Sequence, residues 1–215
     1  MEKIPWIQAA IDVEDIDLAK KIAFIALDNG AEWLEIGTPL IYKYGHSAIG
    51  QIRRAVGKDV VLVADYKTPF AVLCAEQAAK QGVNYLMLYT TYYDFLISNS
   101  IELCRNLGIE PIFDIAVKRE DIPLCVEKLV SRGARYVFSH HYTIDGDSLS
   151  SISKRDNMSL FPFPKKDYYL GITSDDLEEA KDAVRSGADW ITFGYVLRKP
   201  DSAICRKWIN EIKGK

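Results

Sequence analysis

The sequence predicts a single (β/α)8 barrel across residues 1–215, with its working groups at the carboxyl ends of the strands. Three observations predict it. Gly30, Gly57, Gly82, Gly108, Gly133 and Gly187 recur at spacings of 27, 25, 26, 25 and 54 residues, the last being two units with one glycine missing. A short run rich in Val, Ile, Phe, Tyr and Trp follows each glycine. An amphipathic stretch precedes it.

Glycine is favoured just past a helix end because it adopts the left-handed conformation without a steric penalty. The runs that follow are GAEWLEIG, GKDVVLVADY, GVNYLMLY, GIEPIFDIA, GARYVFSHH and GADWITFG. They are almost continuously apolar, as strands buried on both faces must be. Trp6 to Asp12 and Tyr168 to Thr173 supply two further strands. Among the helical stretches, CAEQAAKQ precedes Gly82 and SDDLEEAKDAVRS precedes Gly187, the latter with Ser174 as N-cap. Regular alternation implies parallel strands with right-handed crossovers. Eight units at this spacing fit a closed barrel better than an open doubly wound sheet, the runner-up. Asp145 to Lys166 is the least regular segment and reads as a short helix and a long loop.

Composition narrows the function classes. Hydrophobic residues at 48% and charged residues at 27% describe globular material. A net charge of -3 argues against a nucleic-acid-binding face. No apolar stretch is long enough to span a bilayer, and MEKIPWIQAAID does not read as a secretory signal. Cys74, Cys104, Cys125 and Cys205 form no CxxC pair, so they read as reduced, mostly buried helix-face thiols of a cytoplasmic protein rather than a zinc site.

Polar residues stand where strands end. Asp12 closes the first strand, and Glu35 lies in WLEIG. Asp65 and Lys67 lie in ADYK, Asp114 in IFDIA, and His140 and His141 after the sixth strand. Gly171 and Thr173 end the seventh strand and Gly194 the eighth. Burying carboxylates is costly unless they are paired or bind a cation. A structural ion-pair network at the barrel mouth is the alternative to function. Glu35 and Asp65, from adjacent strands, can jointly hold Mg2+. Lys67 can stabilise a developing enolate. A Schiff base on Lys67 is disfavoured, since Asp65 favours the protonated amine. His140 or His141 can carry a proton near neutral pH. In YLGITSDD and TFGYVLRKPDSA, Gly171 and Gly194 allow close backbone approach to a phosphate, and Arg198 or Lys199 adds charge.

WLEIGTPLIYKYG followed by VVLVADYKT resembles the orotidine 5'-phosphate decarboxylase suprafamily, in the branch of 3-hexulose-6-phosphate synthase and 3-keto-L-gulonate-6-phosphate decarboxylase. EIGTPL, Glu35 to Leu40, is specific to that branch, and AID, IFDIA, YVFSHH and SGADWITFG extend the likeness along most of the chain. The resemblance implies a (β/α)8 homodimer that uses Mg2+ to stabilise a sugar-phosphate enediolate. By match, Glu35 and Asp65 are metal ligands, and Lys67 stabilises the enediolate. Asp12 contacts substrate or metal-bound groups, His140 handles a proton, and Gly171 and Gly194 mark phosphate loops.

This chain departs from the pattern at several places. The D-x-K-x-x-D motif reads DYKTPF, with Phe70 in place of the second acid. Leu170-Gly171 and Gly194-Tyr195 replace the family's loop pairs, and Thr143 stands where the decarboxylases have arginine. The expectation is a Mg2+-dependent carbon–carbon lyase most like 3-hexulose-6-phosphate synthase, joining ribulose 5-phosphate to formaldehyde. Two alternatives remain: 3-keto-L-gulonate-6-phosphate decarboxylation, and a catalytically silent barrel binding a metabolite or partner.

Overall fold

A computed structural model describes residues 4–68, 70–90, 94–140, 160–161, 167–199 and 201–214. Eight parallel strands close into a barrel in sequence order. They are β1 (Trp6–Ile11), β2 (Trp33–Ile36), β3 (Val61–Asp65), β4 (Tyr85–Tyr89), β5 (Glu110–Asp114), β6 (Tyr136–Ser139), β7 (Tyr169–Thr173) and β8 (Trp190–Phe193). The first strand ends one residue short of Asp12, which begins the loop, and the seventh starts one residue after Tyr168.

The described helices are α1 (Ile16–Asp28), α2 (Thr38–Tyr44), α3 (Ser47–Val56), α4 (Ala75–Lys80), α5 (Asp94–Asn106), α6 (Ile122–Ser131), α7 (Leu177–Arg185) and α8 (Ser202–Ile212). All six repeat glycines have positive φ, from +74° at Gly108 to +101° at Gly187. This is the conformation that ends a helix without crowding a Cβ. The N-cap of α7 is not Ser174. Asp176 takes that position, and its carboxylate accepts the Glu179 amide at 2.9 Å. Ser174 is buried instead, with its hydroxyl donating to the Asp176 carbonyl. Two capping residues compete within three positions, and the helix begins directly after the second, whose carboxylate meets the third helical amide. The predicted short helix and loop, with His141 and Thr143, fall outside the described residues, apart from Leu160 and Phe161.

The inside of the barrel is layered, because side chains alternate across a strand with a period of two. Trp6, Trp33, Tyr85, Tyr136 and Tyr169 are each the first residue of a strand. Their rings form a circuit: Trp6–Trp33 at 5.3 Å, Trp33–Tyr85 at 4.7 Å, Tyr85–Tyr136 at 4.9 Å, Tyr136–Tyr169 at 5.3 Å and Tyr169–Trp6 at 5.3 Å between centroids. These are favourable aromatic separations, and the circuit floors the barrel. Val63, Met87, Ile112, Phe138 and Trp190 pack as a dry plug with Trp33. A separate, larger apolar cluster joins the barrel's outer face to the helices.

Two residues further along the same strands the inward positions turn polar. Glu35 follows Trp33, Asp65 follows Val63, Tyr89 follows Met87, Asp114 follows Ile112, His140 follows Phe138 and Thr192 follows Trp190. The strand period therefore carries these polar groups to the carboxyl end, above a floor that excludes water.

Candidate active site

Asp65 ends β3, and its two oxygens hold Lys67 twice. Oδ1 accepts the Lys67 backbone N–H at 3.1 Å, and Oδ2 lies 2.5 Å from Nζ. Lys67 has φ +48°, the one positive value for a described non-glycine residue. Such backbone is held only where its surroundings over-determine it, and it marks functional sites. The turn aims the ammonium back over the mouth.

Lys67 Nζ also contacts His140 Nε2. On the far side of the ring, His140 Nδ1 lies 2.7 Å from Asp114 Oδ2. An ammonium has only protons to give, so Nε2 accepts from it. The neutral imidazole then carries its proton on Nδ1, facing Asp114. This tautomer is assigned from its partners. The result is a line of groups from β3 to β6: Asp65, Lys67, His140, Asp114.

Glu35 lies one strand over, with 3% of its surface exposed. One oxygen accepts from Gln8 Nε2 at 2.5 Å, while the Gln8 carbonyl oxygen has no hydrogen-bond partner among the described residues. Burial pushes the Glu35 carboxyl well above the usual carboxylate range, and nearby Asp65 adds to the rise against the opposing pull of Lys67. Asp12 is raised too, first by burial and then by Asp65, with Lys67, Arg198 and His140 opposing. Burial alone would pull the Lys67 amine down. Asp65, Glu35 and Asp114 together hold it above its ordinary value instead. The cluster is short of positive charge, and Lys67 is fixed as a cation.

The structure thus gathers Asp12, Glu35, Asp65, Asp114 and His140 around Lys67. Arg198 joins them at the rim through its effect on Asp12, and its guanidinium lies 5.5 Å from the Tyr195 ring centre. Among the described residues, no three His, Cys, Asp or Glu side chains form a preformed metal-binding group.

Two glycines at the site answer to contacts the sequence hides. A Cβ on Gly37 would collide with Asp12 Oδ1, so glycine there lets the turn from β2 into α2 pass the carboxylate. Gly171 sits within β7 opposite Trp190, and a Cβ would drive into the indole ring. Its glycine is explained by the dry plug below the mouth. Thr173 is half-buried at the end of β7 and hydrogen-bonds the Thr192 carbonyl at 3.3 Å. Gly194 is buried beside Ala10 and Asp12. Phe70 faces outward, 67% exposed, on the short turn that follows Lys67.

Sequence reasoning missed Gln8, and it offered the aromatic run Tyr89 to Tyr93 only as interface, pocket lining or helix-start packing. Gln8 is a polar residue inside an otherwise apolar strand, and that was its signal. Tyr89 stands at the end of β4 within electrostatic reach of Lys67, Asp114 and Asp65, its phenol pushed up mainly by burial. The rest of its aromatic run, at 91–93, lies outside the described residues.

No protein-family model matches the chain. Over 111 residues, 51% of the chain, it is 34% identical to the bifunctional enzyme Fae/Hps of Methanocella arvoryzae, of which the match covers 28%. The chain spans less than half the length of the curated relatives it matches. Its fold superposes on a crystal structure of 3-hexulose-6-phosphate synthase with a TM-score of 0.80 at 20% identity, covering 96% of this chain and 99% of that one. A 3-keto-L-gulonate-6-phosphate decarboxylase from Vibrio cholerae superposes with a TM-score of 0.71 at 20% identity, covering 98% and 99%. At these identities the solved structures show the shared fold. The relative and structures named above, with an orotidine 5'-phosphate decarboxylase from Pyrococcus horikoshii that superposes with a TM-score of 0.74 at 21% identity, fall in the orotidine 5'-phosphate decarboxylase suprafamily.

Proposed function

We propose that the barrel mouth is the active site of a carbon–carbon lyase that works through a sugar-phosphate enediolate. The reaction is most like that of 3-hexulose-6-phosphate synthase, the aldol addition of ribulose 5-phosphate to formaldehyde. The observation that carries this reading is Lys67, a fixed ammonium among Asp65, Glu35 and Asp114 at the open end of a water-excluding barrel.

The roles follow from the chemistry of each group. His140, with Nδ1–H toward Asp114, has its Nε2 lone pair free to take the C1 proton once substrate displaces the lysine contact. Asp114 then stabilises the imidazolium. Lys67 offers positive charge to the oxygen that becomes negative as the C1 proton leaves. The carbanion at C1 bonds to the formaldehyde carbon, and the new alkoxide takes up a proton. Asp12, half-buried between Gly37 and Gly194, is placed to orient substrate hydroxyls. The proton affinity of Lys67 disfavours Schiff-base chemistry.

Mg2+ belongs to the same proposal. Its hard-oxygen preference fits Glu35 and Asp65, and a divalent ion would supply the positive charge these buried carboxylates lack. When bound, it polarises the substrate carbonyl and the neighbouring hydroxyl. A cytoplasmic homodimer completes the reading. Tyr42, Phe70 and Leu73 leave large apolar surface exposed, and no described helix is long and apolar enough to cross a membrane.

Decarboxylation of 3-keto-L-gulonate 6-phosphate passes through the same enediolate and differs in the fate of one carbon. Phe70 in place of the motif's second acid favours one further reading, a silent barrel that binds without turnover. Formaldehyde consumption with ribulose 5-phosphate and Mg2+, compared with carbon dioxide release from 3-keto-L-gulonate 6-phosphate, separates the three. Loss of turnover in Glu35→Gln supports the metal assignment, and full activity in that variant overturns it.

A further inference from the structure

The loop after β7 carries two adjacent aspartates with different tasks. Asp176 caps α7. Asp175 reaches across to the loop after β8, where its Oδ1 accepts the Tyr195 amide at 2.9 Å and the Gly194 amide at 3.3 Å. Two successive backbone N–H groups aimed at one oxygen form an anion cradle. The loops after the last two strands of a barrel are where such cradles take phosphate. Here the chain's own carboxylate fills it.

The cradle belongs to the mouth. A Cβ built on Gly194 would lie 3.3 Å from Asp12 Oδ2 and 3.1 Å from the Ala10 Cβ. Arg198, four residues along, acts electrostatically on Asp12. Asp175 itself is exposed, so it can swing into water without being dragged from a buried pocket. A phosphate dianion approaching the cradle must break both hydrogen bonds and overcome the repulsion of the carboxylate it displaces.

We propose that Asp175 is a specificity-determining residue: its carboxylate occupies the Gly194–Tyr195 amide pair, so a phosphomonoester binds only by displacing it, and phosphate affinity is lowered by the cost of that displacement. The inference rests on the sugar-phosphate reading for the location of the ligand's anion, and not on the chemistry that follows.

The test is binding without turnover. Inorganic phosphate, D-ribulose 5-phosphate and D-ribulose are titrated by calorimetry into the whole protein and into Asp175→Ser and Asp175→Asn, with amide shifts of Gly194 and Tyr195 followed by NMR. The serine variant is expected to bind both phosphate ligands roughly tenfold tighter, as loss of one nearby like charge implies. D-ribulose affinity stays unchanged, and the Gly194 and Tyr195 amides shift on phosphate addition. The asparagine variant, which keeps the hydrogen-bond acceptor and loses the charge, falls between. It also serves as the folded control if the serine variant melts. Variants that bind phosphate no tighter than the native protein, or phosphate that leaves these two amides unmoved, overturn the proposal. Tighter phosphate binding without any C1 proton exchange upholds the role of Asp175 and counts against the enediolate reading alone.

Discussion

Asp65 grips Lys67 at both ends: one carboxylate oxygen takes the lysine's backbone N–H at 3.1 Å, and the other sits 2.5 Å from its ammonium. A single side chain therefore sets the left-handed turn and the direction of the charge it presents. Lys67→Met is expected to lower kcat roughly 100-fold or more, the scale on which a lost electrostatic stabiliser acts. Steady-state kinetics checks this. Arginine, with a different reach and a planar head, is expected to restore little of the loss.

The His140–Asp114 contact makes a separate prediction. Asp114→Asn removes the charge that holds Nδ1–H and stabilises the imidazolium. We expect kcat to fall about tenfold or more while KM stays near its native value. An unchanged pH profile of kcat in this variant would remove His140 from proton transfer.

Glu35 links the site to stability. Burial, reinforced by Asp65, raises its proton affinity in the folded protein. Its contribution to stability is therefore complete below the ordinary carboxylate range and is lost as pH climbs through the raised value. The native protein should lose thermal stability as pH rises above the ordinary carboxylate range, and Glu35→Gln should flatten that loss. Equal slopes in the two proteins would mean that Glu35 is ionised at neutral pH.

Gly171 separates packing from ligand binding. Its absent Cβ makes room for the Trp190 indole. Gly171→Ala is expected to cost about 1–3 kcal/mol, as overpacked core positions do. Denaturant unfolding measures this. Phosphate affinity in the folded fraction should be unchanged. A stable variant with weakened phosphate binding would give Gly171 a part in the phosphate site as well.

The barrel was legible because its signals are local. Gly30 and its five counterparts each end a helix by their own backbone conformation, and each strand's apolar run follows directly. The carboxylates and Lys67 were legible because charged residues inside apolar strands stand out. What stayed hidden depends on closure. The clash between Gly171 and Trp190 exists only once β7 and β8 pair in register. The Gln8–Glu35 hydrogen bond joins residues 27 apart in sequence, and Asp175 meets Gly194 across two neighbouring loops. The cap on α7 was misread for a simpler reason: Ser174 and Asp176 carry the same capping chemistry, and sequence pattern does not rank them.

The central claim is that this mouth forms an enediolate, and proton exchange at C1 tests it most directly. The protein is incubated with D-ribulose 5-phosphate in D2O, with and without Mg2+, and the C1 proton signals are followed by NMR. The account predicts stereospecific, Mg2+-dependent loss of one C1 proton, abolished in Lys67→Met. No exchange at any Mg2+ concentration, from protein that is folded and binds the ligand, would contradict it.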